Sequence, residues 1–171
     1  MLKWPHYKLK HNKIDLSTEI VGNTHLRCCE IGKWCYIGPQ CVINSATIGN
    51  YTCIAPSCHI GGMEHPYWDK SISPLLSDDY VFGKRTYIGH DVWIAADCII
   101  KQGVTIGDGA VIGANSFVNK DIPPYAIAFG TPAKVVKYRF NNEMINKIEG
   151  THFWEYPPKK AKAILKNDTA V

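Results

Sequence analysis

The chain has 171 residues, 46% hydrophobic and 20% charged, which suits one domain with a buried core and is too apolar for a disordered chain. Its net charge is +4, and the basic residues gather late, in "PAKVVKYRF" and "PPKKAKAILK", which favours a local anion site over a nucleic-acid surface. The opening "MLKWPHYKLKHNKIDLS" lacks the apolar run of a signal peptide, and no stretch reaches the roughly 20 apolar residues of a membrane span, so the expectation is a cytoplasmic protein without membrane insertion.

Residues 1–18 form an N-terminal segment with no periodicity. A repeat then begins loosely at Ile20 and Leu26 and sharpens at Ile31, Ile37, Ile43, Ile48, Ile54 and Ile60, with one unit a residue short. The fourth place of each unit holds Cys35, Cys41, Thr47, Thr52 and Cys58. From Ile88 the rhythm resumes at Ile94, Ile100, Ile106, Ile112 and Val118, with Val92, Cys98, Val104, Ala110 and Ser116 at the fourth place. A helix wants apolar spacings of three and four, and a half-buried strand wants two. A strict six fits a chain that makes a short strand, turns and repeats, pointing one aliphatic and one small residue inward. Gly and Asn after the aliphatic residue suit tight turns.

The seven cysteines include no C-x-x-C pair and no secretory context, so neither a metal site nor a disulfide framework is expected. Cys35, Cys41, Cys58 and Cys98 fall on the small inward place, where a thiol acts as a compact hydrophobe. Cys28, Cys29 and Cys53 fall off it and have no assignment.

Residues 61–87 interrupt the rhythm and carry "EHPYWDKSISP". This reads as a loop extruded from a solenoid of residues 19–122, within one domain spanning 1–171. After the repeat, residues 123–171 read as a C-terminal extension. "NNEMINKIEG" predicts a helix capped by Asn, with Met144, Ile145 and Ile148 on one side and Gly150 as its stop. "YPPKKAKAIL" predicts a second helix entered through proline, and a terminal helix can cover the open end of the coils.

The run "IGHDVWIAADCIIKQGVTIGDGAVIGANSFVNKDIPPYAIAFGTPAKVV" resembles the C-terminal half of galactoside and xenobiotic acetyltransferases. "RFNNEMINKIEGTHFWEYP" resembles the tail of the xenobiotic and chloramphenicol branch, and "EHPYWDKSISP" is similar to the His-Pro loop of related saccharide O-acetyltransferases. The resemblance to these hexapeptide-repeat acyltransferases covers roughly residues 30–160. It implies a mainly β fold, a left-handed parallel β-helix, although crossovers in general prefer the right hand. It implies a homotrimer with active sites between subunits. The activity implied is acetyl transfer from acetyl-CoA to a hydroxyl of a saccharide, such as a surface polysaccharide or its precursor, without a metal.

Position by position, the general base of the family corresponds to His65. An acceptor hydroxyl is a poor nucleophile at neutral pH, and an imidazole that takes its proton is worth about 10²–10⁴-fold. The CoA-binding positions correspond to Trp93, Ala96, Ala114, Asn119, Lys120, Lys134 and Lys137, with Arg139 a further candidate. Lysine stands where galactoside enzymes use arginine, which keeps the charge and loses the bidentate fork. Tyr67, Trp68 and Asp69 follow the histidine and are expected to touch the acceptor.

Two other readings stay open. An acetyltransferase of the xenobiotic branch would inactivate a streptogramin or chloramphenicol-type antibiotic by the same chemistry. A zinc enzyme of the γ-carbonic-anhydrase kind would need ligands such as His59, His65 and His90, whose spacing does not match that family. The oxyanion donors and the identity of the acceptor carry no sequence signal.

Overall fold

A strand of two residues cannot bury its isoleucine alone, so the strands must stack, coil upon coil, to close a core. The computed structural model describes residues 11–73, 75–77 and 83–168. His6 and loop positions 74 and 78–82 lie outside the described residues.

The first coil is β1 (Lys13–Ile14), β2 (Glu19–Ile20) and β3 (His25–Arg27), and the second is β4 (Glu30–Ile31), β5 (Tyr36–Ile37) and β6 (Val42–Asn44). The third is β7 (Ala46–Ile48), β8 (Cys53–Ile54) and β9 (His59–Ile60). The fourth is β10 (Thr86–Ile88), β11 (Trp93–Ile94) and β12 (Ile99–Ile100), and the fifth β13 (Thr105–Ile106), β14 (Val111–Ile112) and β15 (Phe117–Val118). Each coil gives one strand to each of three parallel sheets, ordered β1-β4-β7-β10-β13, β2-β5-β8-β11-β14 and β3-β6-β9-β12-β15. The chain is therefore a parallel β-helix of triangular plan, as the period of six requires. β16 (Ala126–Gly130) continues the second sheet, and β17 (Ala133–Tyr138) runs antiparallel to it and closes that end.

The register aligns the aliphatic column without slippage, Ile31 beside Ile48 beside Ile88 beside Ile106 on the first sheet. These side chains are buried, and each is worth about 1.5–3 kcal/mol on leaving water. The small inward places do more than fill space. Cys35 donates to the Gly49 carbonyl at 2.9 Å, Thr52 to Gly89 at 2.7 Å, Cys58 to Ala95 at 3.2 Å and Cys98 to Gly113 at 3.1 Å. The thiols thus act as donors that stitch one coil to the next, a role beyond that of a compact hydrophobe.

Several expectations need correction. Cys29 is fully buried and belongs to the inward column, two places before Ile31 as Cys35 is two before Ile37. In the shortened unit Ala46, not Thr47, turns inward, because losing one residue moves the inward place forward. Within the coils Gly32, Gly38, Gly49, Gly89 and Gly113 do not supply the left-handed corner; that φ falls two residues later, at Trp34, Gln40, Tyr51, Asp91 and Asn115, as it does at Ser57 and Asp97 after Ala55 and Ala95. Gly49 shows what its lack of a side chain provides instead: a Cβ there would meet the Gly89 carbonyl carbon at 2.6 Å.

The C-terminal helices also differ in place. α1 (Asn142–Thr151) is capped by Asn141, whose Oδ1 accepts from the Met144 amide at 2.9 Å. It runs through Gly150 and ends at His152, which takes the left-handed conformation itself. A 3₁₀ turn (Phe153–Glu155) leads to α2 (Pro158–Asp168), entered through proline as expected. Their apolar faces form a second cluster with Tyr51 and Tyr125. Asn50 donates to the Trp154 carbonyl at 2.9 Å, and the Tyr51 hydroxyl to that of Tyr156 at 2.6 Å. The helices therefore flank the corner between the first and second sheets and do not cap the open end of the coils.

Candidate active site

The chain leaves the third coil after Ile60 through Gly61 and Gly62, both with positive φ. A Cβ on Gly61 would fall against the Asn44 carbonyl oxygen, so this exit admits only glycine. The chain re-enters at Thr86, which is fully buried, so the excursion covers 61–85 and is two residues shorter than the break in rhythm suggested. Arg85 pins the returning leg, donating to the Ala46 carbonyl at 3.0 Å, the Thr47 hydroxyl at 2.9 Å and the Cys28 carbonyl at 3.3 Å.

Within the excursion His65 is exposed, and its Nδ1 lies 2.8 Å from the carbonyl oxygen of Ile72. A carbonyl only accepts, so Nδ1 carries the proton and the basic lone pair sits on Nε2. Pro66 is buried, and a turn closes behind it through Tyr67 N–H to His65 O at 2.8 Å and Asp69 N–H to Pro66 O at 3.0 Å. That turn presents Tyr67 and Trp68 outward, with ring centroids 5.1 Å apart in an edge-to-face pair. The Asp69 carboxyl is held below the usual range by the Ser77 side chain and by the Lys70 amide at 2.6 Å.

Beside the loop's root, a cavity of about 310 Å³ is lined by Arg27, Cys28, Asn44, Ser45 and Met63. None of these was expected at a site: Cys28 has no assignment in the repeat, and Asn44 and Ser45 look like turn residues of the shortened unit. Ile72 contributes only its backbone, which leaves no trace in the sequence.

The other expected positions fall on different corners. Ala96 and Ala114 stack on the corner between the second and third sheets, where the Asn115 amide donates to the Ala96 carbonyl at 3.0 Å. Trp93 stands just before that corner, half-exposed, between Cys53 and Val111 on the outer face of the second sheet. Asn119 and Lys120 follow β15 and are exposed on the corner between the third and first sheets, the one the loop leaves from. Lys134 and Lys137 are exposed on β17, opposite Phe129 and Ile127. Arg139 is occupied: its guanidinium donates to the Gly109 carbonyl at 2.7 Å, pairs with Asp91 at 3.2 Å and lies 5.1 Å from the Phe140 ring. Burial pushes the Asp91 carboxyl up, against the pull of this guanidinium.

The histidines of the zinc reading are dispersed. His59 points outward from the third sheet, His65 lies in the loop, and the Nδ1 of His90 accepts from the Asn50 amide at 2.8 Å. Among the described residues no group of three or more His, Cys, Asp or Glu is placed to hold a metal ion. Among them, too, no helix is long and apolar enough to cross a membrane.

Residues 85–120 match the bacterial transferase hexapeptide (six repeats) family. A probable macrolide acetyltransferase of Lysinibacillus sphaericus is 34% identical over 148 residues, 85% of this chain and 77% of that one. The chain belongs to the hexapeptide-repeat acetyltransferases. It is 48% identical over 110 residues to a chloramphenicol acetyltransferase of Morganella morganii, and 39% identical over 93 residues, 54% of this chain and 44% of that one, to the galactoside O-acetyltransferase of Escherichia coli. It spans about half the length of the chloramphenicol acetyltransferases it matches, 52% of the Morganella morganii protein. Among solved structures, a Vibrio cholerae hexapeptide-repeat acetyltransferase complexed with acetyl coenzyme A superposes with a TM-score of 0.61 at 28% identity, covering 73% of this chain and 72% of that one.

Proposed function

We propose that the protein transfers acetyl from acetyl-CoA to a hydroxyl of a saccharide acceptor, with His65 as general base. The observation that carries this reading is the bond between His65 Nδ1 and the Ile72 carbonyl, which leaves Nε2 as the basic nitrogen. The acceptor oxygen attacks the thioester carbon while its proton passes to Nε2. The tetrahedral intermediate then expels CoA as thiolate, and the imidazolium returns the proton to that sulfur. A side chain that fits the oxyanion is the Asn44 amide, at the wall of the cavity beside the loop. The exposed Tyr67–Trp68 pair offers a face for a sugar ring, and the ionised Asp69 can accept from its hydroxyls.

We read this site as shared between two subunits. The loop springs from the corner between the third and first sheets, while Ala96 and Ala114 line the corner between the second and third. The third sheet stands between them, which favours an arrangement in which acetyl-CoA laid along Ala96 and Ala114 meets the His65 of a neighbour. A cyclic homotrimer of a triangular prism satisfies this three times over. Lys134 and Lys137 supply charge for the CoA phosphates and Trp93 a wall of the groove, while Asn119 and Lys120, on the corner the loop leaves from, face the cofactor from the neighbour's side.

The names of the relatives favour a second reading, in which the acceptor is an antibiotic hydroxyl of the chloramphenicol or macrolide kind. Release of CoA thiol from acetyl-CoA, measured across a panel of mono- and oligosaccharides beside chloramphenicol and a macrolide, separates the two. Turnover with sugars alone is the expected result; turnover with the antibiotics alone transfers the assignment to them. Absence of acceptor-dependent thiol release across the whole panel, with acetyl-CoA bound, overturns both.

A further inference from the structure

The ring of His65 is oriented from within the loop, but the loop itself must be fixed to the coils for Nε2 to occupy one place. The carboxylate of Glu64, one residue before the base, pairs with Lys101 at 3.0 Å. Burial works to raise that carboxyl, and hydrogen bonds from Lys101 and Gln102 with the Lys101 charge hold it below its usual range. The next residue grips the other leg: Gln102 Oε1 accepts from the Lys84 amide at 3.0 Å. Between the grips the legs touch, and a Cβ on Gly83 would fall against the Gly62 carbonyl and meet Gln102 Oε1 at 2.7 Å. Two consecutive residues at the end of β12 therefore hold both legs of the excursion. Lys101 is itself anchored in the coil, its amide donating to the Val118 carbonyl at 2.8 Å.

The partners of the ion pair are each 37% exposed, and a pair so open to water adds little to folding stability. Its effect is geometric, because it stops the outgoing leg from swinging about the glycines at 61 and 62. We propose that Glu64 and Lys101 are positioning residues for His65, their ion pair with the Gln102 grip setting where the base meets the acceptor. This rests on His65 being the base.

The test is steady-state kinetics of Glu64→Gln, Lys101→Met, Lys101→Arg and the charge-swapped Glu64→Lys/Lys101→Glu pair, beside His65→Ala. A displaced catalytic group loses on the order of 10²-fold. We expect the two neutral variants to lose kcat by about 10- to 100-fold. KM for acetyl-CoA and the melting temperature stay at the wild-type values, and Lys101→Arg stays near wild type. The swapped pair recovers most of the loss, which a merely structural role or a lone catalytic carboxylate does not do. The plateau of the pH–rate profile drops without a shift of its acidic limb, whereas a carboxylate that only tuned the imidazole would move the limb. Unchanged kcat in the neutral variants, or a swapped pair no better than they are, overturns the proposal. Wild-type turnover in His65→Ala removes the base itself, a failure visible separately from that of the clamp.

Discussion

The coils and the excursion from them hold their residues in place by opposite means. In the coils every inward side chain is placed by the period, so Ile48, Ile88 and Ile106 share one column and the loss of any one is felt by its neighbours in the same way. In residues 61–85 nothing repeats, and several of the described groups are held by a bond of their own: His65 by the Ile72 carbonyl, Glu64 by Lys101, Lys84 by Gln102, Arg85 by Ala46 and Thr47. A periodic scaffold spreads its energy over many like contacts, whereas the loop concentrates its geometry in a few bonds. If His65 is the base, as proposed, stability and activity reside in different parts of the chain, and substitutions should separate them.

The sharpest break comes at His65. His65→Ala leaves the coils untouched, so the melting temperature stays within error of wild type while acetyl transfer falls by about 10²–10⁴-fold. A variant that kept wild-type turnover would falsify the assignment of the base. Ile94→Ala does the reverse. Ile94 is fully buried between Ile54 and Ile112, and its truncation costs about 2–5 kcal/mol of folding stability, read from denaturant melts, while the kcat of the folded fraction is kept. A core variant that lost activity without losing stability would erase the proposed division.

How far each region was legible in the sequence follows from the same contrast. The strands, the inward column and the extent of the coils could be read because a period of six states itself many times. The reading of Thr47 for Ala46 slips where the unit is a residue short and the period is broken. Cys29 was missed because the repeat was counted from Leu26, and the five-residue step to Ile31 hides its register. In the loop, the histidine and its proline stood out by residue type and by resemblance. The Ile72 carbonyl did not, because a backbone atom has no residue type to notice. The position of the helices was hidden for a related reason. Their partners Asn50, Tyr51 and His90 lie at corners, outside the inward places that the period marks.

The thiols give a smaller and finer test of the coils. Cys58 is fully buried and donates to the Ala95 carbonyl at 3.2 Å, one coil onward. If the inward place needs only a compact apolar group, Cys58→Ala and Cys58→Ser should differ by the penalty for burying a hydroxyl, with serine the worse. If the stitch matters, serine keeps the donor and alanine loses it, a net hydrogen bond of about 1 kcal/mol. Thr52, which makes the equivalent bond to Gly89 with a hydroxyl, indicates the second outcome: the serine variant is the more stable of the two in chemical denaturation.

The smallest effect is expected where the coils meet the helices. His90 accepts the Asn50 amide on Nδ1 and stacks on Trp154 with ring centroids 5.2 Å apart, so it serves this junction as a neutral ring. Burial lowers its pKa from the ordinary value of 6.5, against the pull of Asp108 and Glu155, and nearby His152 adds to the lowering. The unfolded chain therefore takes up a proton on this side chain at a higher pH than the folded one does. Its contribution to stability is complete above pH 6.5, shrinks as the pH falls through and below that value, and stops changing once the folded ring is protonated too. Asparagine can place an acceptor oxygen near the position of Nδ1 and does not titrate. Against His90→Asn, the wild-type protein should lose stability as the pH falls through and below 6.5, while the stacked junction is the first part to loosen. Urea melts across that range, followed by the fluorescence of Trp154 and its neighbours, read both. Parallel pH curves for the two proteins would mean that the corner is held by Asn50, Tyr51 and the apolar cluster without help from the histidine.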